Sequence, residues 1–375
     1  MIHFSGALAA GRSRKKIPAT PEITSKRELS RTALTAVSRP GIFITEMGNI
    51  AARPRILAHV LARNDQEVVK DCLGSLLSQD YQNLLIVVSD NASTDSTPEI
   101  IRETAFGIEF IENRENFGYA KGHNQVASRK GFDAFLALNA DVVLEPDFVS
   151  RLAARAFSDP ACGMAAGKLL ESGHTSRIDS AGVYIDRFRR NREIGAGRNA
   201  YSSFTEPAEV FGAFGAAGLY KKSMIEDLSF QGELFDTDFF AYREEVDLAW
   251  RARSRGWKCL FEPDAIGFHV HQYRPQTRAT RPVFERRLQR RNRYLMLLKN
   301  ESPLCFARDL PFIAAFELGA FLHALFLEPA ILPAYVDAMK LAPAMLAKRK
   351  LIRSFRTVRD TSICEWLGKE RLIRS

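Results

Sequence analysis

From residue 55 onward the apolar positions switch between two periods. RILAHVLA (55–62) is a continuous apolar run of strand length, whereas DQEVVKDCLGSLLSQ (65–79) repeats Val69, Cys72, Leu73, Leu76 and Leu77 at helical spacing. LLIVVSD (84–90) is a second strand, and STPEIIRETA (96–105) offers Ser and Thr caps with Pro98 near a helix start. IEFIE (108–112), YAKGHNQVASRKG (119–131) and AFLALNAD (134–141) continue as strand, helix and strand. Strands alternating with helices predict an α/β fold with a mostly parallel sheet.

Ligands in such sheets bind beyond the carboxyl ends of the strands. Asp90 ends the second strand, Asp141 follows the fourth, and Asn116-Phe117-Gly118 follows the third, so three polar tips are expected along one rim. A glycine-rich, less regular stretch over 160–235 predicts loops and short strands above it. Order then resumes in DTDFFAYREEVDLAWRARSRGWKCLFEPDAIGFHVH (236–271), with an aromatic run, an acidic helix start, a strand and two histidines. Beyond about 282 the pattern is helical. Three regions result: a basic arm over 1–52, a catalytic domain over 53–282 divided at 145/146, and a helical region over 283–375.

At 375 residues and 46% hydrophobic, the chain can bury a substantial core. Its five cysteines (Cys72, Cys162, Cys259, Cys305, Cys364) are odd in number, scattered and never spaced C-x-x-C, so neither a disulfide framework nor a zinc site is expected. That reads as a reducing compartment. The net charge of +9 is concentrated in RPVFERRLQRRNR (281–293) and AKRKLIRSFRTVR (347–359). The second of these interleaves Leu351, Ile352 and Phe355, which suits anionic headgroups as well as a solvated helix packed on the domain. LPFIAAFELGAFLHALFLEPAILP (310–333) is apolar, yet Glu317, His323 and Glu328 interrupt it; the two glutamates fall near one helical face and favour a docked or interfacial helix over a span.

Several residues carry candidate chemistry, each beside a plain structural alternative. Asp141 with Asn139 suits a divalent cation, which takes one or two carboxylates and fills its other positions with phosphate and water, but a strand-end carboxylate also caps turns. Asp90 in DNASTDST either accepts hydrogen bonds from a nucleobase or closes an Asx turn. Glu244, Glu245 and Asp247 precede Arg251 and Arg253 in the order a helix dipole favours; the aromatic FFAY upstream would also desolvate a carboxylate and make it a general base. His269 and His271 point to one strand face, as ligands or as packed residues.

As a set, these segments resemble inverting family-2 glycosyltransferases of the GT-A fold, especially a bacterial rhamnosyltransferase-like branch, over roughly residues 54 to 300. HVLARNDQEVVKDCLGSLLSQDYQNLLIVVSDNASTDST is similar to the family's opening strand-helix-strand, and NRENFGYAKGHN to its N-x-G-[FY]-A-x-G-N-N segment. LNADVVLEPDF resembles an L-N-P-D form of the D-x-D motif, and FFAYREEVDLAWR the catalytic helix. The resemblance implies a nucleotide-sugar site of Arg63, Asn64, Asp90, Asn116, Gly118, Asn124 and Asn139, and a Mg²⁺ or Mn²⁺ site of Asp141 and His269. It also implies Glu245 as base, with Glu244 beside it and Asp247 as the second candidate. Gly212, Gly215, Tyr242 and Trp250 are expected on the acceptor side, and Asp179, Ser180 and Gly182 near the donor sugar. The family usually has Glu-Asp where this chain has Glu244-Glu245; the extra methylene shifts the carboxylate by about a bond length, and ~1 Å of misplacement costs on the order of 100-fold.

The implied activity is metal-dependent inverting transfer of a sugar, rhamnose first, from a nucleoside-diphosphate donor. The donor is dTDP-rhamnose by resemblance, with UDP- and GDP-sugars as alternatives, and the acceptor a glycan or lipid-linked glycan of surface polysaccharide synthesis. The implied location is cytoplasmic, peripheral on the inner face of the membrane, with no nucleic-acid partner expected. A catalytically silent scaffold, a membrane or nucleic-acid binding module and a sugar nucleotidyltransferase are the rival readings. A dinucleotide dehydrogenase and a P-loop enzyme are disfavoured because G-x-G-x-x-G is missing from the first strand-helix unit and G-x-x-x-x-G-K-[ST] from the chain.

Overall fold

The computed structural model describes residues 53–104, 107–229, 232–270, 281–368, 370 and 373–374; the basic arm of 1–52 and His271 lie outside these. Strands β1 (Ile56–Ala62), β2 (Leu84–Asp90), β3 (Glu109–Glu112) and β4 (Ala134–Asn139) are parallel, in the order β3-β2-β1-β4. Helices α1 (Val69–Leu77), α2 (Thr97–Thr104) and α3 (Gly118–Ala127) connect them. A strand flanked on both sides must be apolar on both faces, and β1 is. Its Ile56, Ala58 and Val60 pack with Val69, Cys72, Leu73 and Leu76 on one side of the sheet. On the other side Leu57 joins Phe135, Val126 and Trp250. Leu77, the last residue of α1, departs from the expected apolar face and is exposed.

Past β4 the sheet becomes mixed. β5 (Val142–Leu144) is followed by α4 (Phe148–Phe157), β6 (Cys162–Glu171), β7 (His174–Ser180), β8 (Val183–Asp186), β9 (Asn191–Glu193), β10 (Ala208–Val210), β11 (Ala217–Lys221) and α5 (Lys222–Leu228). The acidic helix α6 (Glu244–Ser254) and β12 (Lys258–His269) come next. β11 runs antiparallel between β4 and β6, and β12 runs parallel to β6. The end of β12 also takes up β5, antiparallel, with His269 opposite Val142. That pairing returns the chain from Asn139-Ala140-Asp141 to the sheet and sets a histidine beside Asp141.

Helices α7 (Val283–Asn300), α8 (Pro303–Phe326), α9 (Pro333–Ser354) and α10 (Asp360–Trp366) make up the helical C-terminal region. Ser302 caps α8 by accepting from the Cys305 N–H at 3.1 Å, with Pro303 at its first position. The two acidic interruptions dock this region onto α7. Glu317 accepts from Arg293 Nε at 2.6 Å and from the Tyr294 hydroxyl, and Glu328 pairs with Arg286. Glu328 lies past the end of α8, because the chain turns at Pro329 before α9; the two glutamates are therefore not on one continuous helix.

Two findings revise expectations. Cys305 and Cys364 form a disulfide joining α8 to α10, at a sequence separation of 59 that no local spacing signals. Part of the basic run turns inward: Lys348 Nζ reaches Asp236 at 2.5 Å and Asp238 at 2.7 Å, and Ile352 is buried, while Leu351 and Phe355 stay exposed.

Candidate active site

β1, β2 and β4 end level, with Ala62 opposite Asp90 and Leu61 opposite Asn139. Beyond those ends lies a cavity of about 330 Å³, bounded by Arg63, Asp65, Asn91, Asn116, Asn139 and Asp141 among others. Asn116 Oδ1 accepts from Asn91 Nδ2 at 3.0 Å and from the Gly118 N–H at 2.9 Å, which fixes the turn into α3. Gly118 has φ +69°, and a Cβ there would stand 2.4 Å from the Phe240 carbonyl oxygen, so only glycine fits.

Asp90 does not line this cavity. It is buried, and its carboxylate accepts from the Ser93 N–H at 3.0 Å and from the Ser93 hydroxyl, closing an Asx turn. Asp65 and Asn91 stand at the rim instead, and sequence reasoning passed over both. Burial raises Asp65, the Arg63 N–H opposes it, and the Asp141, Asp95 and Asp90 charges add to it, leaving the group at about 7. Asn64 faces away: its Oδ1 accepts from the Thr94 N–H at 2.8 Å and ties two loops together. Asn124 is also structural, bonding the Leu234 and Phe235 N–H groups and the Phe235 carbonyl.

At the Asp141 corner, His269 Nδ1 bonds Asp179 at 2.8 Å, and Nε2 lies 3.3 Å from Asp141 Oδ1. The second approach is an ion-pair distance without hydrogen-bond geometry, so this buried Oδ1 has no hydrogen-bond partner among the described residues. Burial alone would lower His269, but the Asp141 and Asp179 carboxylates outweigh it and push it up to about 9. The corner thus draws positive charge. Among the described residues no group of three or more His, Cys, Asp or Glu could hold a metal ion, so a cation there would depend on phosphate and water for most of its shell. Asp141 and His269 fit that sparse role.

A larger cavity of about 720 Å³ adjoins the first, and Tyr119, Asn139, Ala241 and Tyr242 line both. Glu244, Glu245, Arg243 and Gly215 line the larger one, and the Tyr119 hydroxyl donates to the Gly215 carbonyl at 2.7 Å. The approach to α6 is strained: Phe240, Tyr242 and Arg243 all have φ between +65° and +75°, a region that favours glycine. Asn292 of α7 holds this loop, its Nδ2 lying 2.8 Å from the carbonyls of Phe239, Ala241 and Tyr242. Sequence reasoning missed Asn292 because it sits inside a basic run that reads only as charge.

Glu244 and Glu245 are both buried at the first turn of α6. Burial raises both carboxyls; Glu245 raises Glu244 further, while Arg243 opposes the rise at Glu245. Both carboxyls therefore hold a proton more readily than a glutamate in water does. The other candidates on and near this helix go elsewhere. Asp247 is fully buried and engaged, accepting from Arg251 Nε at 2.9 Å, Lys299 Nζ at 2.7 Å and Asn300 Nδ2 at 2.7 Å, so it does not serve the cavity as a second base. Trp250 is core. Gly212 packs on Ala249, where a Cβ would stand at 2.4 Å, and Ser180 and Gly182 bond one another beneath the site.

A raised carboxyl makes stability depend on pH. Between the ordinary carboxyl value and the raised one, the folded chain holds a Glu244 proton that the unfolded chain has released, so stability falls as pH rises through that window. Wild-type Tm should fall more between pH 5 and pH 8 than that of Glu244→Gln, which cannot ionise. Equal falls in a melting series would show that Glu244 is not raised.

A solved mannosyltransferase from Pyrobaculum calidifontis, in complex with GDP-Man and Mn²⁺, is 19% identical, with TM-score 0.46 over 84% of this chain and 85% of that one. Residues 1–349 of Staphylococcus aureus TarS in complex with UDP are 15% identical, with TM-score 0.46 over 83% and 88%. Among curated proteins, poly-beta-1,6-N-acetyl-D-glucosamine synthase of S. aureus strain COL is 25% identical over 211 residues, covering 54% of this chain and 47% of the relative. The chain thus spans about half the length of the curated relatives it matches. The family model described as Glycosyl transferase family 2 matches residues 58–229, from within β1 to just past α5. The match takes in β1, β2 and β4, whose polar carboxyl ends bound the smaller cavity.

Proposed function

We propose that the protein is an inverting glycosyltransferase, with the donor's nucleoside diphosphate in the 330 Å³ cavity and the sugar and acceptor in the 720 Å³ cavity. One observation carries this reading: Glu245, buried and with its carboxyl raised by that burial, lines a cavity that shares Tyr119, Asn139, Ala241 and Tyr242 with the one at the polar strand ends. A base is most effective when its pKa lies near the working pH. Glu245 takes the proton of an acceptor hydroxyl; the oxygen forms its bond to the anomeric carbon as the bond to the diphosphate oxygen breaks, and the electron pair leaves with the diphosphate. One displacement inverts the anomeric centre. Arg63 lies where it can face the diphosphate, and Tyr119 and Tyr242 wall the passage between the cavities.

Asp141 and His269 would hold Mg²⁺ or Mn²⁺, which when bound neutralises charge developing on the leaving diphosphate. Rhamnose from dTDP-rhamnose is the first donor to test; N-acetylglucosamine is the second, from the name of the curated relatives. The acceptor is a glycan or lipid-linked glycan in polysaccharide synthesis.

We also propose that the protein works on the inner face of the cytoplasmic membrane as a peripheral protein. Two helical segments, Pro303–Phe326 and Pro329–Ser354, are long and apolar enough to cross a membrane by length and composition. The ion pairs of Glu317 and Glu328 with α7 support docking instead, which leaves Leu318, Phe321, Leu322 and Phe326 exposed as an apolar surface.

Two measurements check these readings. Purified protein given dTDP-, UDP- and GDP-sugars with an acceptor extract and Mg²⁺ or Mn²⁺ should release nucleoside diphosphate from one donor. Glu245→Gln should lower that rate roughly 10²- to 10⁴-fold without abolishing thermal stabilisation by the donor, and Asp141→Ala should lose the metal response. Pyrophosphate as product would mark a nucleotidyltransferase, and full activity in Glu245→Gln would remove the assigned base. In the second, membranes from cells expressing the chain should give it up to high salt or alkaline carbonate; retention through both would mark a spanning protein.

A further inference from the structure

Behind the transfer cavity lies a second one of about 210 Å³, walled by Arg190, Arg192, Arg243, Arg286, Arg290 and Arg293. The two share Asn191, Arg192, Arg243 and Gln289, so they are neighbouring rooms with a common wall. Among the described residues, the carboxylates paired with these six cations are three. Asp186 serves Arg190 and Arg192, Glu328 serves Arg286, and Glu317 serves Arg293. Arg243 and Arg290 have no ion pair there.

The surplus is buried and unsatisfied. Arg290 is 6% exposed, and its Nη1 has no hydrogen-bond partner among the described residues; the same holds for Arg243 Nη1 and Arg286 Nε. Leaving buried guanidinium N–H groups unpaired is unfavourable unless an anion completes them. Burial, together with the Arg293 and Arg290 cations and against the opposing Glu245, brings Arg243 down to about 9. Guanidinium forks match phosphate oxygens in charge and geometry, and several converging on one cavity favour a multiply charged group. The outer wall includes Phe316 of α8, the helix whose exposed face carries Leu318, Phe321 and Leu322.

We propose that this arginine cavity is an anion subsite for a phosphate or diphosphate carried by the acceptor, so that the acceptor of the transfer proposed above is a phosphate-linked glycan. The subsite holds the phosphoryl group while the adjoining cavity presents the sugar hydroxyl to Glu245. The inference rests on the transferase reading for the word acceptor, but its test reads binding and not turnover, so the two can fail separately.

The test is calorimetric titration of the full chain, in metal-free, low-salt buffer, with inorganic pyrophosphate and with farnesyl diphosphate. Wild type should bind, and Arg290→Gln should weaken binding about tenfold or more. If Arg290→Gln does not fold, Arg192→Glu carries the test, since that side chain is exposed, and it should show a similar loss. Tighter binding of farnesyl diphosphate would support the subsite with a lipid-linked source, and equal binding would support it with a soluble one. No binding by wild type, or unchanged binding in folded arginine variants, would overturn the proposal.

Discussion

Two adjacent carboxyl groups buried at the first turn of α6 are the constraint around which the rest of the structure is arranged. Neighbouring carboxylates out of water repel one another and resist ionisation, so such a pair persists only where surrounding structure fixes it. The helix N-terminus offers partial positive charge to both. Arg243, held in a left-handed conformation just before the helix, lowers the cost at Glu245 more than at Glu244. One turn further on, Asp247 anchors the helix from below through Lys299, Asn300 and Arg251. Lys299 also bonds Asp236 at 2.5 Å, so one buried cation of α7 ties together both ends of the strained loop.

Helix α7 therefore does more than extend the domain. Asn292 holds the loop carbonyls, Lys299 holds Asp236 and Asp247, and Arg290 and Arg293 face the arginine cavity. The loop, α6 and the cavity wall are set by one rigid element, which is what placing Glu245 as a proton acceptor would require.

Much of the first half was legible in the sequence. Unbroken apolar runs identified buried parallel strands, and their polar ends, Asn139, Asp141 and Asn116, do line one cavity. The break at Asn139-Ala140-Asp141 was legible as a strand end, and its cause is the β5–β12 pairing that sets His269 beside Asp141. What stayed hidden depends on long-range partners. Asp90 reads as a ligand until Ser93 is seen to occupy its carboxylate, and Asp247 reads as a base until Lys299 arrives from 52 residues away. The Cys305–Cys364 pair, Asn292 and the arginine cavity share that character: each is assembled by helices whose packing no local pattern encodes. Gly118 and Gly212 look alike in sequence as small residues near a site. One is required by a backbone turn at the cavity edge and the other by helix packing beneath it.

The central claim is that two joined cavities are the donor and acceptor halves of a single-displacement site with Glu245 between them. A crystal structure with a bound nucleoside-diphosphate sugar tests it most directly. The account predicts the diphosphate beside Asp141 and Arg63, and the free face of the anomeric carbon turned toward the Glu245 carboxylate across the space next to Gly215. A donor whose diphosphate sits in the arginine cavity, or whose anomeric carbon faces away from Glu245, would contradict it.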